Sequence, residues 1–200
     1  MSGPETQPQS ETAPKPQKAP KGAERRALAD LFERARKVRL LALDVDGVLT
    51  DGTIWMGPDG DVSKRFDIRD GHALIFLPRN GIELAIVSGR SDAVNEIRAK
   101  ELRFGYVVQG VRRKLPAVKD LAKRLKLSLD QIAYMGDDVN DVAVIEAVGL
   151  GAAPGNGALE AREAARFVSS QPGGHGAVRE LAELLLKARG AWQEIVEGMR

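Results

Sequence analysis

From residue 40 onward the chain alternates two spacings of apolar residues. Short uninterrupted runs at 40–43, 84–87, 106–108, 132–135 and 150–153 have the length and continuity of strands buried on both faces, with a last strand over 167–169. Between them, apolar residues recur at helical spacing over 70–79, after Ser91 as N-cap (Val94, Ile97, Leu102), and over 114–126, 142–148, 158–165 and 178–187. Two β-prone runs, 53–56 and 62–66, flank Gly57-Pro58-Asp59-Gly60 and predict a projecting hairpin. Strands alternating with helices predict an α/β fold with a parallel sheet and right-handed crossovers.

The first apolar run ends in two acids one residue apart, Asp44 and Asp46. Acids at the end of a buried strand are costly unless a cation or a reaction needs them. The other polar groups follow the same rule of position. Ser88-Gly89-Arg90 comes after the second long strand, Lys114 after the third, and Gly136-Asp137-Asp138 after the fourth. Open α/β sheets bind ligands at that edge.

Composition narrows the classes. A 200-residue chain that is 43% hydrophobic can bury one domain core. Its formal charge of +2, with no basic run interleaved with aromatics, gives no case for nucleic acid. The absence of cysteine removes disulfides and thiolate sites. Neither a membrane span nor a signal-peptide apolar core is visible, so a soluble cytoplasmic protein is expected. Residues 1–23, holding Pro4, Pro8, Pro14, Pro16 and Pro20, read as a disordered tail. Expected after it are a helix over 24–37, one domain over 38–189 and a C-terminal tail over 190–200.

Asp44 and Asp137, closing different strands, each offer a carboxylate to one hard cation such as magnesium. With the metal present one carboxylate can attack phosphorus, and Asp46 can protonate the leaving oxygen and later activate water. Ser88 and Lys114 can hold phosphoryl oxygens. Two other motifs fail on spacing. As a calcium loop, Asp44-x-Asp46 places glycine at the fourth position and Trp55 at the twelfth. As a dinucleotide fingerprint, Gly149-x-Gly151 meets Pro154 where the third glycine belongs.

Taken in order, Asp44-Val-Asp-Gly-Val-Leu-Thr-Asp-Gly, Ser88, Lys114 and Gly136-Asp-Asp-x-x-Asp141 resemble the four motifs of the haloacid dehalogenase (HAD) superfamily of phosphatases. The resemblance implies a Rossmann-like HAD fold, Asp44 as nucleophile and magnesium ligand, and Asp46 as acid/base and ligand through its backbone carbonyl. It implies Asp137 as the third ligand and Ser88 and Lys114 as phosphate-binding residues. Asp138 and Asp141 either orient the site or bind metal-bound waters, or else stand as helix N-terminal acids facing the dipole. Thr50-Asp51-Gly52, Phe66-Asp-Ile-Arg-Asp-Gly71 and Gly173-Gly-His-Gly-Ala-Val-Arg-Glu180 are most similar to phosphatases of 3-deoxy-D-manno-octulosonate (KDO) 8-phosphate and of related nine-carbon sugar acids. Ala73 departs from the glycine frequent there.

That likeness implies a magnesium-dependent phosphomonoesterase of a sugar-acid phosphate in lipopolysaccharide biosynthesis, and a homotetramer whose neighbouring hairpins and tails cover the site. The alternatives are a nine-carbon substrate of the sialic-acid type and a catalytically silent HAD-fold subunit. Spacing agrees on one point independently: the intervals from Asp44 to Ser88 and from Ser88 to Asp137 are filled by predicted elements, leaving no separate cap domain. Arg69, Gly71 and Arg90 are the candidate substrate-binding residues. His72 and His175 read as solvent-facing or core-satisfied, Arg179 as either a helix-surface pair or a reach into a neighbouring site, and Trp55 as an interface residue or a pocket wall, an exposed aromatic favouring the interface.

Overall fold

The structure, a computed structural model, describes residues 22–60 and 62–199. The proline-rich segment lies outside these residues, except that Gly22 and Ala23 open the first helix. In chain order the elements are α1 (Gly22–Lys37), β1 (Leu40–Leu43), β2 (Trp55–Met56), β3 (Val62–Ser63), α2 (Ile68–Leu74), β4 (Glu83–Val87), α3 (Ala93–Glu101), β5 (Tyr106–Val108) and α4 (Lys114–Leu125). They continue as β6 (Ile132–Met135), α5 (Val142–Ala147), β7 (Leu150–Ala153), α6 (Leu159–Ala164), β8 (Phe167–Val168), α7 (Ala177–Ala188) and α8 (Ala191–Glu197).

Six strands form one sheet in the order β5-β4-β1-β6-β7-β8, and every pairing in it is parallel. The expected α/β architecture is thus present. β1 is central, with Leu41 opposite Leu84 of β4 and Ala133 of β6. All four β1 residues are buried, and successive side chains feed opposite faces. Leu41 and Leu43 join a core built with α1, α2, α3 and α7. Leu40 and Ala42 join a second core under α4, α5 and α6. The chain builds outward from β1 in one direction and then, from β6, in the other. The strand order therefore reverses between β1 and β6, and that crevice is where such sheets bind ligands.

The hairpin forms as expected: β2 and β3 pair antiparallel, with Gly60 at φ +82° in the turn. Three local expectations need correction. The helix expected over 70–79 begins earlier, capped by the Asp67 carboxylate on the Arg69 amide at 2.7 Å, and ends at Leu74. Pro78 has no amide to continue it, so the chain finishes as a 3₁₀ turn, Pro78–Asn80, closed by Gly81 at φ +72°. The N-cap of α3 is Asp92 rather than Ser91, and Ile97 is exposed rather than core. Residues 190–200, expected as a tail, contain α8, whose Trp192 and Ile195 pack on the core.

Candidate active site

Asp44 and Ser88 stand immediately after β1 and β4, and Asp137 follows β6 with Gly136 between; the three strands are adjacent and parallel. Lys114 opens α4 and its side chain is buried. These residues line one cleft of about 200 Å³ together with Asp46, Gly89, Arg90, Asp138 and Asn140.

Lys114 Nζ lies 2.9 Å from Asp44 Oδ2 and 2.7 Å from Asp141 Oδ1. Burial alone would lower its pKa, but the Asp44 and Asp141 carboxylates hold it above the usual lysine range. Asp141 is fully buried and its carboxylate is crowded with donors: Lys114, the Tyr134 hydroxyl and the amides of Asp137 and Asp138. Of the readings of Asp141, this geometry matches the orienting one. Its carboxylate folds the loop after β6 back on itself and fixes Lys114. Asp138, by contrast, is exposed and accepts from the Val139 amide.

Burial pushes the Asp44 carboxyl up to about 6, with Lys114 opposing and Asp141 adding to the shift. Burial likewise pushes Asp137 up to about 7, followed by repulsion from Asp44 and Asp141. Oxygens of Asp44, Asp137 and Asp141 lie within 4.8 Å of one another, a spacing a metal ion could bridge. Asp141 already has its donors, so Asp44 and Asp137 are the pair with capacity to spare. Two carboxylates pressed together and desolvated, with one lysine between three acids, fit a small divalent cation that prefers oxygen ligands. Gly47 makes the approach possible. It has φ +87°, and a Cβ there would meet Asp137 Oδ2 at 2.0 Å.

The Asp46 carboxylate is not in this group. It turns toward Lys64 Nζ at 2.8 Å and Arg90 Nε at 3.7 Å. Ser88 is buried, and its hydroxyl accepts from the Arg90 amide at 3.2 Å, shaping the turn after β4. Of the expected substrate-binding residues, the cleft contains Arg90 but neither Arg69 nor Gly71. Arg69 is held at the start of α2 by Asp67 at 2.7 Å and donates to the His175 carbonyl. Gly71 is buried, and a Cβ there would meet Arg98 Nη2 at 2.5 Å, so it is a packing position. His72 packs edge-on to Phe76, His175 Nε2 meets Arg65 Nη2 at 2.8 Å, and Arg179 pairs with Glu183.

Two features of this region were not read from the sequence. Lys64, directly after β3, reaches the Asp46 carboxylate at the cleft, a reach set by how the hairpin folds back. The Gly173-Gly174 turn packs on the loop after β1, where a Cβ on Gly173 would meet the Gly47 carbonyl oxygen at 1.8 Å. The Gly174 amide donates to the Val48 carbonyl there. A Gly-Gly pair before a helix was the available signal.

Comparison with known proteins bears on the family and the fold. A family model described as haloacid dehalogenase-like hydrolase matches residues 105–181. The 3-deoxy-D-manno-octulosonate 8-phosphate phosphatase of Escherichia coli K12 is 41% identical over 166 residues, 83% of this chain and 88% of that one. A crystal structure of the Moraxella catarrhalis phosphatase of that name, in complex with magnesium, phosphate and KDO, superposes with TM-score 0.84 at 37% identity, covering 86% of this chain and 98% of that one. The cobalt-bound Haemophilus influenzae phosphatase gives TM-score 0.77 at 32% identity, over 80% and 93% of the two chains. With its sheet order, its strand-end acids and this degree of identity over most of its length, the chain belongs to the 3-deoxy-D-manno-octulosonate 8-phosphate phosphatase family of haloacid dehalogenase-like hydrolases.

Proposed function

We propose that this protein hydrolyses the phosphate ester of 3-deoxy-D-manno-octulosonate 8-phosphate, releasing KDO for lipopolysaccharide assembly. The observation that carries the reading is the cleft itself, in which Asp44, Asp46, Ser88, Lys114 and Asp137 face one space. A family member lacking the activity would have no need to keep all five.

Asp44 is the nucleophile. One of its oxygens forms a bond to phosphorus while the bond from phosphorus to the C8 oxygen of the sugar breaks. Asp46 donates a proton to that leaving oxygen. In the second step a water attacks the aspartyl-phosphate, Asp46 takes its proton, and inorganic phosphate leaves with Asp44 restored. Lys114 neutralises charge that develops on the phosphoryl oxygens and keeps Asp44 ionised despite its burial. The Ser88 hydroxyl and the turn after it bind phosphoryl oxygens. Asp44 and Asp137, with the backbone carbonyl of Asp46, hold magnesium, which supplies further neutralisation of phosphoryl charge when bound. Arg90, which lines the cleft and is partly exposed, pairs with the sugar-acid carboxylate in this reading.

The cleft, of about 200 Å³, is open to solvent, and among the described residues no cap domain stands over it. The missing cover comes from neighbouring copies in a homotetramer. Exposed Trp55 and Met56 on the hairpin and Ile68 at the start of α2 supply apolar surface for such contacts. Exposed Arg69 would then meet substrate only from a neighbouring copy. A cytoplasmic location fits the cysteine-free sequence. Among the described residues, no helix is long and apolar enough to cross a membrane.

Steady-state phosphate release from the eight-carbon 8-phosphate and a nine-carbon 9-phosphate, with magnesium, tests the substrate. The expected result is a higher kcat/KM for the eight-carbon ester; a preference for the nine-carbon ester contradicts it. Sedimentation of the active enzyme should give a tetramer, whereas an active monomer contradicts the shared cover.

A further inference from the structure

Each carboxylate of the Asp44-x-Asp46 pair has a buried lysine of its own. Lys114 serves Asp44, and its side chain belongs to the motif pattern of the fold. The lysine at Asp46 comes from elsewhere. Lys64 directly follows β3 of the hairpin, and its side chain is 0% exposed. Its Nζ is 2.8 Å from Asp46 Oδ1, 2.8 Å from Asp92 Oδ2 and 3.1 Å from Asn95 Oδ1. Asp92 in turn meets Arg90 Nε at 3.1 Å, and the same Nε is 3.7 Å from Asp46 Oδ2. Two acids and two bases thus form a closed ring that joins the loop after β1, the hairpin and the turn after β4.

The ring is supported from beneath. Asn95 is fully buried, and its amide group donates to Gln109 Oε1 at 2.8 Å. The same Gln109 oxygen accepts from the Asp92 amide at 3.1 Å. The engagement of Asp92 with Lys64 and Arg90 explains why it makes no side-chain cap at the start of α3. A lysine stem ordered and desolvated in this way loses substantial side-chain entropy, so its retention needs a return.

We propose that Lys64 is a positioning residue for the proton transfer to the leaving group: it fixes the Asp46 carboxylate in the cleft and ties the hairpin's placement to that carboxylate. Arg90 is too far from Asp46 to do this alone, and it is also the cation best placed to turn toward a substrate carboxylate. Lys64, enclosed and with three oxygen partners, stays with Asp46 when Arg90 engages substrate. The inference rests on the reading of Asp46 as the acid/base given above.

Leaving groups of different basicity separate a positioning role from a structural one. An alkyl phosphate needs its leaving oxygen protonated, whereas p-nitrophenolate departs readily without help. The measurement is kcat/KM, which covers the steps through cleavage of the ester, for 3-deoxy-D-manno-octulosonate 8-phosphate and for p-nitrophenyl phosphate. It is made on the full-length, magnesium-loaded wild type, Lys64→Met, Lys64→Arg and Asp46→Asn. Lys64→Met should lower the value for the alkyl ester by about tenfold or more and that for the aryl ester by less than about threefold. Lys64→Arg should move the ratio back toward wild type. Equal losses on both esters, or no loss on either, overturn the proposal. An Asp46→Asn variant that fails to favour the aryl ester overturns the underlying assignment of Asp46 instead. Should Lys64→Met not fold, Lys64→Gln carries the same comparison with the same outcomes.

Discussion

A single missing side chain sets the spacing of the two acids at the centre of the cleft. Gly47 has a backbone conformation that L-residues seldom adopt, and the Asp137 carboxylate occupies the volume where a Cβ would stand. Gly47→Ala should therefore lower stability by about 1–3 kcal/mol through backbone strain alone. It should also weaken magnesium-dependent turnover by displacing Asp137. Urea unfolding and phosphate release check the two effects, and a variant unchanged in both would contradict this account of the site. At this scale the sequence was informative where chemistry repeats with position. Acids at strand ends announced themselves, because nothing else makes such groups tolerable beside Leu-Leu-Ala-Leu, and Lys114 followed the third strand at the same edge. Lys64 and Asp92 did not. Their meeting depends on how a hairpin with two-residue strands folds over the sheet edge, and no local spacing encodes that.

The elements around the cleft are held by contacts between segments far apart in the chain. Asp70 is buried near the start of α2 and accepts from the amides of Gly176 and Arg179 at the start of α7, at 3.3 and 2.7 Å. That carboxylate joins two helices and steadies the Gly173-Gly174 turn, which packs on the loop carrying Asp44 and Asp46. Removing a buried acceptor leaves its donors unsatisfied, so Asp70→Ala should cost about 1–3 kcal/mol in chemical denaturation. A change within error would mean that α7 is anchored by its apolar face alone. Strand positions were legible because buried parallel strands are continuous apolar runs. Helix ends were less so: α2 stops short because Pro78 lacks an amide, and α8 forms where a tail was expected because Trp192 and Ile195 find the core.

For the whole molecule, the same burial that shapes the cleft makes its stability depend on pH and metal together. Asp44 and Asp137 have an ordinary carboxylate value of 3.8 when unfolded, raised in the fold to about 6 and about 7. Between those limits the folded chain holds protons that the unfolded chain has released. Without metal, these two groups therefore make the protein less stable as pH rises through that window, and the penalty is complete above about 7. Metal binding requires both ionised, so the sign reverses when magnesium is supplied. The magnesium-induced rise in Tm should be larger near pH 8 than near pH 5.5. An equal rise at both would show that Asp44 and Asp137 do not hold the ion.

The central claim is that Asp44 attacks the phosphorus of a sugar-acid phosphate. Its most direct test is the rate of inorganic phosphate release from 3-deoxy-D-manno-octulosonate 8-phosphate at saturating magnesium, wild type against Asp44→Asn. The amide cannot form the aspartyl ester, so turnover should fall by about 10³-fold or more, with the unfolding transition retained. A folded Asp44→Asn enzyme that releases phosphate at a rate near wild type would contradict it.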